Sequence, residues 1–177
     1  LIGVEKNILS DYAKETAVLC KIDIPKGTKI TGENVDQYFY SYEVDAAMVN
    51  GECIKDKKDL LDTVVTRDLS AHEIVRKGAC TKEAEIYNRY HNPVEASVEA
   101  NEAGDIVSGT IRKGDYVDIA VVNKDTLEYD LMLKNVYVLG AYTSTGEAVV
   151  DGMEGTAATM LTIVEEKDNL ALFYSAR

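Results

Sequence analysis

Apolar and polar residues alternate over residues 18–23, with Val18, Cys20 and Ile22 on one side and Leu19, Lys21 and Asp23 on the other. That period of two predicts a strand with one buried face. The run stops at Pro25. In Ile24-Pro25-Lys26-Gly27, proline takes the second position and glycine the fourth of a type I turn, so the chain reverses there. Thr31 then caps a predicted short helix over residues 32–39, placing Val35, Tyr38 and Phe39 on one face. The motif returns further on: residues 23–30, DIPKGTKI, are echoed by residues 68–75, DLSAHEIV, each after an apolar strand. Two such units predict a small β domain with approximate two-fold symmetry. His72 stands where the first copy has Gly27, a turn position of positive φ that histidine tolerates better than most residues.

Between the copies, residues 40–52 read as an irregular excursion and residues 59–65 as the approach to the second strand pair. Residues 81–93 are polar, and 84–93 read as a linker. Beyond it, residues 94–100 alternate as a strand. Residues 108–119 predict a turn closed at Gly114, with Asp115 beside it, feeding a strand that carries Val117, Ile119 and Val121 on one face. Residues 129–139 and 157–164 read as further strands, and the Gly-rich, acidic residues 142–156 as a mobile loop. Residues 165–177 are helical in pattern, with Leu170, Phe173 and Tyr174 on one face and Glu165, Glu166 and Asp168 near the positive end of the helix dipole. The fold class expected is mainly β with some α: a stalk over 1–15, a small β domain over 16–83, a linker over 84–93 and a mixed α+β domain over 94–177.

Charge narrows the partners. The net charge is −12, and residues 95–177 hold 15 acidic against 6 basic groups, whereas residues 1–94 hold 16 against 13. Nucleic-acid binding needs clustered Lys and Arg to displace counterions, so no nucleic-acid partner is expected. The best basic cluster, residues 55–59 (KDKKD), is interleaved with aspartate and reads as a solvated loop. No stretch has the ~18 consecutive apolar residues of a membrane span. The chain opens at Leu1, and Leu1-Ile2-Gly3-Val4 before Glu5-Lys6 fits the end of a removed hydrophobic segment as well as an ordinary cytoplasmic boundary. Cys20, Cys53 and Cys80 have no C-x-x-C spacing, and neither His72 nor His91 lies near a second ligand, so buried thiols are expected and no metal or other cofactor. In an oxidising compartment one disulfide is open to them, in any pairing.

Catalytic patterns are missing from the sequence. Gly109 and Gly114 have P-loop spacing, but Asp115 stands where a lysine must reach the phosphates. Neither G-x-S-x-G nor H-E-x-x-H occurs, and no catalytic residue is expected. Asp115 and Asp118 read as a satisfied turn and a solvated edge. Residues 38–42, YFYSY, offer Tyr38, Tyr40 and Tyr42 as a candidate interface for a protein or a sugar, because aromatic faces stack on apolar ones.

Residues 23–35 (DIPKGTKITGENV), 54–62 (IKDKKDLLD) and 64–69 (VVTRDL) together resemble a SAF domain, the β-clip module of Flp-pilus assembly proteins, flagellar P-ring chaperones and sialic acid synthases. Residues 109–119 (GTIRKGDYVDI), 133–140 (LKNVYVLG) and 159–166 (TMLTIVEE) before a helix are similar to the RcpC/CpaB domain of Flp (Tad) pilus assembly proteins. The resemblance covers residues 16–177. Asp62 and His72 replace glycines usual in the SAF pattern, and the strand expected after the last helix is missing. The resemblance implies a non-enzymatic, extracytoplasmic adaptor whose partners are pilus secretion-complex proteins, held at the membrane by an anchor absent from this chain. A cell-wall glycan binding module is the alternative, suggested by Tyr38, Tyr40 and Tyr42 together with the occurrence of the SAF domain in sialic acid synthases.

Overall fold

The computed structural model describes residues 13–49, 51–100, 103–123, 126–150, 153 and 156–176. The chain divides into two compact units between Lys82 and Glu83. Its architecture is mainly β with some α.

In the first unit, strand β1 (Lys14–Cys20) is followed by the two-residue β2 (Lys29–Ile30) and a single-turn helix α1 (Val35–Tyr38). Then come β3 (Phe39–Asp45), β4 (Thr63–Val65) and β5 (Cys80–Lys82). β1 pairs antiparallel with β3, and the other three form a sheet in the order β2-β4-β5. The two copies of the turn motif interlock. Gly27 donates its N–H to the Val65 carbonyl, and His72, its counterpart, donates to Cys20. Cys20 donates to Glu73 as Val65 donates to Thr28, and Ile24 and Leu69 exchange both backbone bonds. The aspartates that open the copies are also reciprocal: Asp23 Oδ1 accepts the Ala71 N–H and Asp68 Oδ1 accepts the Lys26 N–H, each at 2.8 Å. Each turn is thus closed by the other copy. Gly27 has φ of 78° and His72 of 66°, so the histidine occupies the left-handed conformation expected of it. Asp62 is also left-handed, with φ of 58°. Val18, Cys20, Ile24, Ile30, Phe39, Leu60, Val65, Leu69 and Val75 form the principal core. Each large apolar side chain buried there contributes roughly 1.5–3 kcal/mol.

β1 departs from the one-sided strand expected. Ala17, Val18, Leu19 and Cys20 are all buried, because Val18 and Cys20 enter the principal core while Ala17 and Leu19 enter a smaller one with Val49 and Cys53. Ile22 lies beyond the strand and is 50% exposed. The excursion expected over residues 40–52 is, in its first half, β3 itself. Its Phe, Tyr and Val content suits a pleated surface, and β1 supplies the partner. The stalk expected over 1–15 lies outside the described residues up to residue 12, and Lys14 and Glu15 already belong to β1.

The second unit is a four-stranded antiparallel sheet. Its strands are β6 (Pro93–Glu99), β7 (Tyr116–Val122), β8 (Tyr129–Tyr142) and β9 (Met160–Glu166), in the order β6-β9-β8-β7. One face carries Val117, Ile119, Leu133, Val136, Val138, Leu161 and Ile163 into a core closed by helix α3 (Lys167–Ala176) through Leu170 and Phe173. Two expectations shift by a few residues: Glu165 and Glu166 end β9, and Tyr174 lies largely outside the core, its hydroxyl donating to the Ser97 carbonyl at 2.8 Å. The linker expected over 84–93 belongs to this unit. Helix α2 (Glu83–Tyr87) buries Ile86, and the following turn is tied to β9 by the His91 N–H, which donates to Glu166 Oε1 at 3.0 Å. Of the loop expected over 142–156, residues 151, 152, 154 and 155 lie outside the described residues. Thr143 donates its N–H to Glu147 in a tight turn, and Val149 is buried.

Candidate functional site

The tyrosines of residues 38–42 divide between two surfaces. Tyr38 ends α1 and packs against the principal core, its ring edge-on to Phe39 at 6.4 Å, so it does not join a platform with the others. Tyr40 and Tyr42 are two residues apart on β3 and share a face, opposite Leu19 and Ala17. Their rings meet edge to face at 6.4 Å. Tyr40 leans on the smaller core, and its hydroxyl shares a hydrogen bond of 3.3 Å with His72 Nδ1. The left-handed turn therefore aims the histidine at the strand that carries the tyrosines. Tyr42 is 61% exposed, and Met48 is 63% exposed in the 3-10 turn after β3. Asp45 fixes that turn by accepting the Ala47 N–H at 2.9 Å. The result is an apolar rim on a two-stranded ribbon whose outer edge has no strand partner among the described residues.

The other residues singled out in the sequence serve as turn chemistry. The Pro25 carbonyl accepts both the N–H and the hydroxyl of Thr28. Gly114 has φ of 88° and donates to the Val138 carbonyl, and Asp115 Oδ2 accepts the Arg112 N–H at 2.7 Å. Asp118 Oδ1 accepts the Asn135 N–H at 2.8 Å, so the two aspartates are held apart by separate backbone partners. Gly109 is needed for a close approach: a Cβ there would lie 2.4 Å from Ala157 Cβ.

An aromatic cluster on the second unit escapes the sequence reading. Tyr116 and Tyr137 lie directly opposite on β7 and β8, with rings 5.2 Å apart. The Arg89 guanidinium sits 5.2 Å over the Tyr116 ring and donates to its hydroxyl at 2.6 Å. The Tyr90 hydroxyl accepts the Tyr137 N–H, and the Tyr87 hydroxyl donates to Glu95 Oε1 at 2.6 Å. That bond to a carboxylate, with burial second, pushes the Tyr87 hydroxyl up to about 12. Burial does the same for Tyr137. The signal was present in residues 87–90, YNRY, whose rings are apolar bodies with polar tips, although the stretch scores as polar.

Cys20 and Cys53 are buried and Cys80 is half-buried, all three as free thiols. Burial pushes the Cys20 thiol up to about 12, away from the thiolate needed for nucleophilic or ligand chemistry. Among the described residues no three His, Cys, Asp or Glu side chains gather around a cation position, and no helix is long and apolar enough to cross a membrane. A cleft of about 180 Å³ on the second unit is lined by Glu99, Ala100, Thr143, Ser144, Thr159 and Met160. It is smaller than the roughly 300 Å³ at which ligand pockets begin. Comparison with protein-family models, with curated proteins and with solved structures finds no match to this chain.

Proposed function

We propose that this protein is a non-enzymatic adaptor of a pilus secretion apparatus of the Flp (Tad) type. In this reading it is a member of the RcpC/CpaB family with an N-terminal SAF domain, working outside the cytoplasm and held to the membrane by an anchor outside this chain. The observation that carries the reading is the reciprocal turn pair. Asp23 accepts the Ala71 N–H and Asp68 the Lys26 N–H, so each copy closes the turn of the other, which supports a two-fold pair of turn motifs. Asp62 and His72, which stand where the SAF pattern has glycine, are both left-handed, so the departures keep the backbone that the pattern demands.

An adaptor works by presenting a rigid surface with more apolar character than a solvated face, and it needs no reactive cleft. Tyr40, Tyr42 and Met48 supply that surface on the first unit, beside a strand edge to which an extended segment of a partner can add. Replacing Tyr40 and Tyr42 by serine is expected to leave the melting transition within a few degrees of the parent, yet to abolish piliation and co-purification with secretion-complex proteins. Normal piliation with the variant at ordinary levels moves the interface elsewhere, and normal piliation after deletion of the gene removes the function. Binding of peptidoglycan fragments that depends on the same tyrosines would favour the glycan module instead.

A further inference from the structure

The sheet of the second unit ends in two edges of different character. β6 is guarded: it begins at Pro93, the Tyr174 hydroxyl occupies the Ser97 carbonyl, and Glu95 and Glu99 stand along it. Proline and charge on an edge are what keep strands from pairing with other chains. β7 lacks the proline and has fewer charges, although its pairing with β8 shifts register between Val117 and Ala120. Its sequence, YVDIAVV, has one charged residue, Asp118, whose carboxylate already accepts the Asn135 N–H. Exposed apolar side chains also gather on this side of the sheet: Tyr116 is 40% exposed, Val122 42% and Tyr129 75%.

We propose that β7 is a homodimer interface, pairing antiparallel with β7 of a second copy across a two-fold axis at Ile119. The pattern of the strand is self-complementary in that register. Asp118 falls opposite Ala120 of the second copy, so the one charge of the edge never meets its own image, and Val117 falls opposite Val121. Tyr116 falls opposite Val122 of the second copy. Within one chain Tyr116 already faces Tyr137, and Val122 already faces Tyr129. Dimerisation therefore joins two half-rows into a continuous line of Tyr137, Tyr116, Val122 and Tyr129 across four strands, formed twice by symmetry. These residues lie on the face turned away from the core, because Val117, Ile119 and Val121 point into it. The contact is isologous and closes at two copies. With −12 on each chain, repulsion opposes it at long range, so association tightens as salt rises from about 0.01 M to about 0.15 M. The inference is independent of the envelope role proposed above.

Ala120 is exposed and tests the register through the sign of one charge. In sedimentation experiments on the whole chain, Ala120→Glu sets a carboxylate against Asp118 twice per dimer and is expected to weaken association on the order of ten-fold. Ala120→Lys makes opposite-charge pairs at the same places and is expected to leave association as tight as the parent or tighter. Circular dichroism of both variants checks that the fold is unchanged. Val122→Glu, exposed and opposite Tyr116, is expected to weaken the dimer as well. A parent chain that stays monomeric at its highest soluble concentration overturns the proposal. So does a dimer that Glu and Lys at position 120 affect alike, or an assembly that grows past two copies with concentration.

Discussion

Asp68→Ala removes the acceptor for the Lys26 N–H, and Asp23→Ala removes the acceptor for the Ala71 N–H, both bonds being 2.8 Å long. A hydrogen bond to an ionised group contributes roughly 1.5–3 kcal/mol, but these carboxylates are solvent-exposed and water can replace them, which reduces the expected loss to about 1 kcal/mol each. For a unit of this size that is a fall in melting temperature of about 4–8 °C. Because the turns are two-fold related, the two variants should lose stability equally. Asp→Asn at either position keeps a side-chain acceptor and should lose about half as much. Urea unfolding measures the loss, and amide hydrogen exchange locates it: Asp68→Ala should deprotect Lys26 while sparing Ala71, and Asp23→Ala the reverse. A loss confined to one variant, or deprotection within the mutated copy itself, would refute the claim that each turn is closed by the other.

Gly27→Ala places a Cβ at φ of 78° and should destabilise the first unit by about 1 kcal/mol, whereas His72→Gly removes the same strain and should change stability by less, since it also loses the Tyr40 contact and loosens the unfolded chain; thermal melts of the pair check the order. Stability should also decline in alkali. The Cys20 thiol has a folded pKa raised from 9.0 to about 12, so its contribution is complete below pH 9 and is lost as pH rises through 12; urea midpoints between pH 8 and pH 11 should fall in the parent and fall less in Cys20→Ala.

Turn chemistry was the legible part of this chain. Pro25, Gly27 and Gly114 act through their own backbone, so their roles survive without knowledge of what packs around them. His72 was legible because its copy at Gly27 declared the conformation required. What sequence could not show was the number of cores. Leu19 and Val18 are adjacent and both buried, and a period of two assigns only one of them inward. The Tyr40 and Tyr42 rim was partly readable, but Tyr38 left it because a single-turn helix precedes β3 and rotates that ring onto the principal core. Residues 87–90 were lost to the linker because a tyrosine that donates to Glu95 and shields a sheet has the composition of a loop.

The reciprocal turns also constrain how the first unit comes into being. Cys20 bonds to Glu73 and receives His72, while Gly27 waits for Val65, so the first copy has no backbone partner of its own for these groups. β3 can pair with β1 as soon as it is made, but a chain emerging from the ribosome holds the Gly27 turn and the other edge of β1 unpaired until residues near 75 have been made. Until then Val18, Cys20 and Ile24 lack Val65, Leu69 and Val75, with which they share the principal core, and closure waits on distant contacts, the circumstance that slows folding and invites chaperones. Truncation before the second motif is therefore expected to leave the first unit unfolded, because the bonds that close its first turn come from the missing copy.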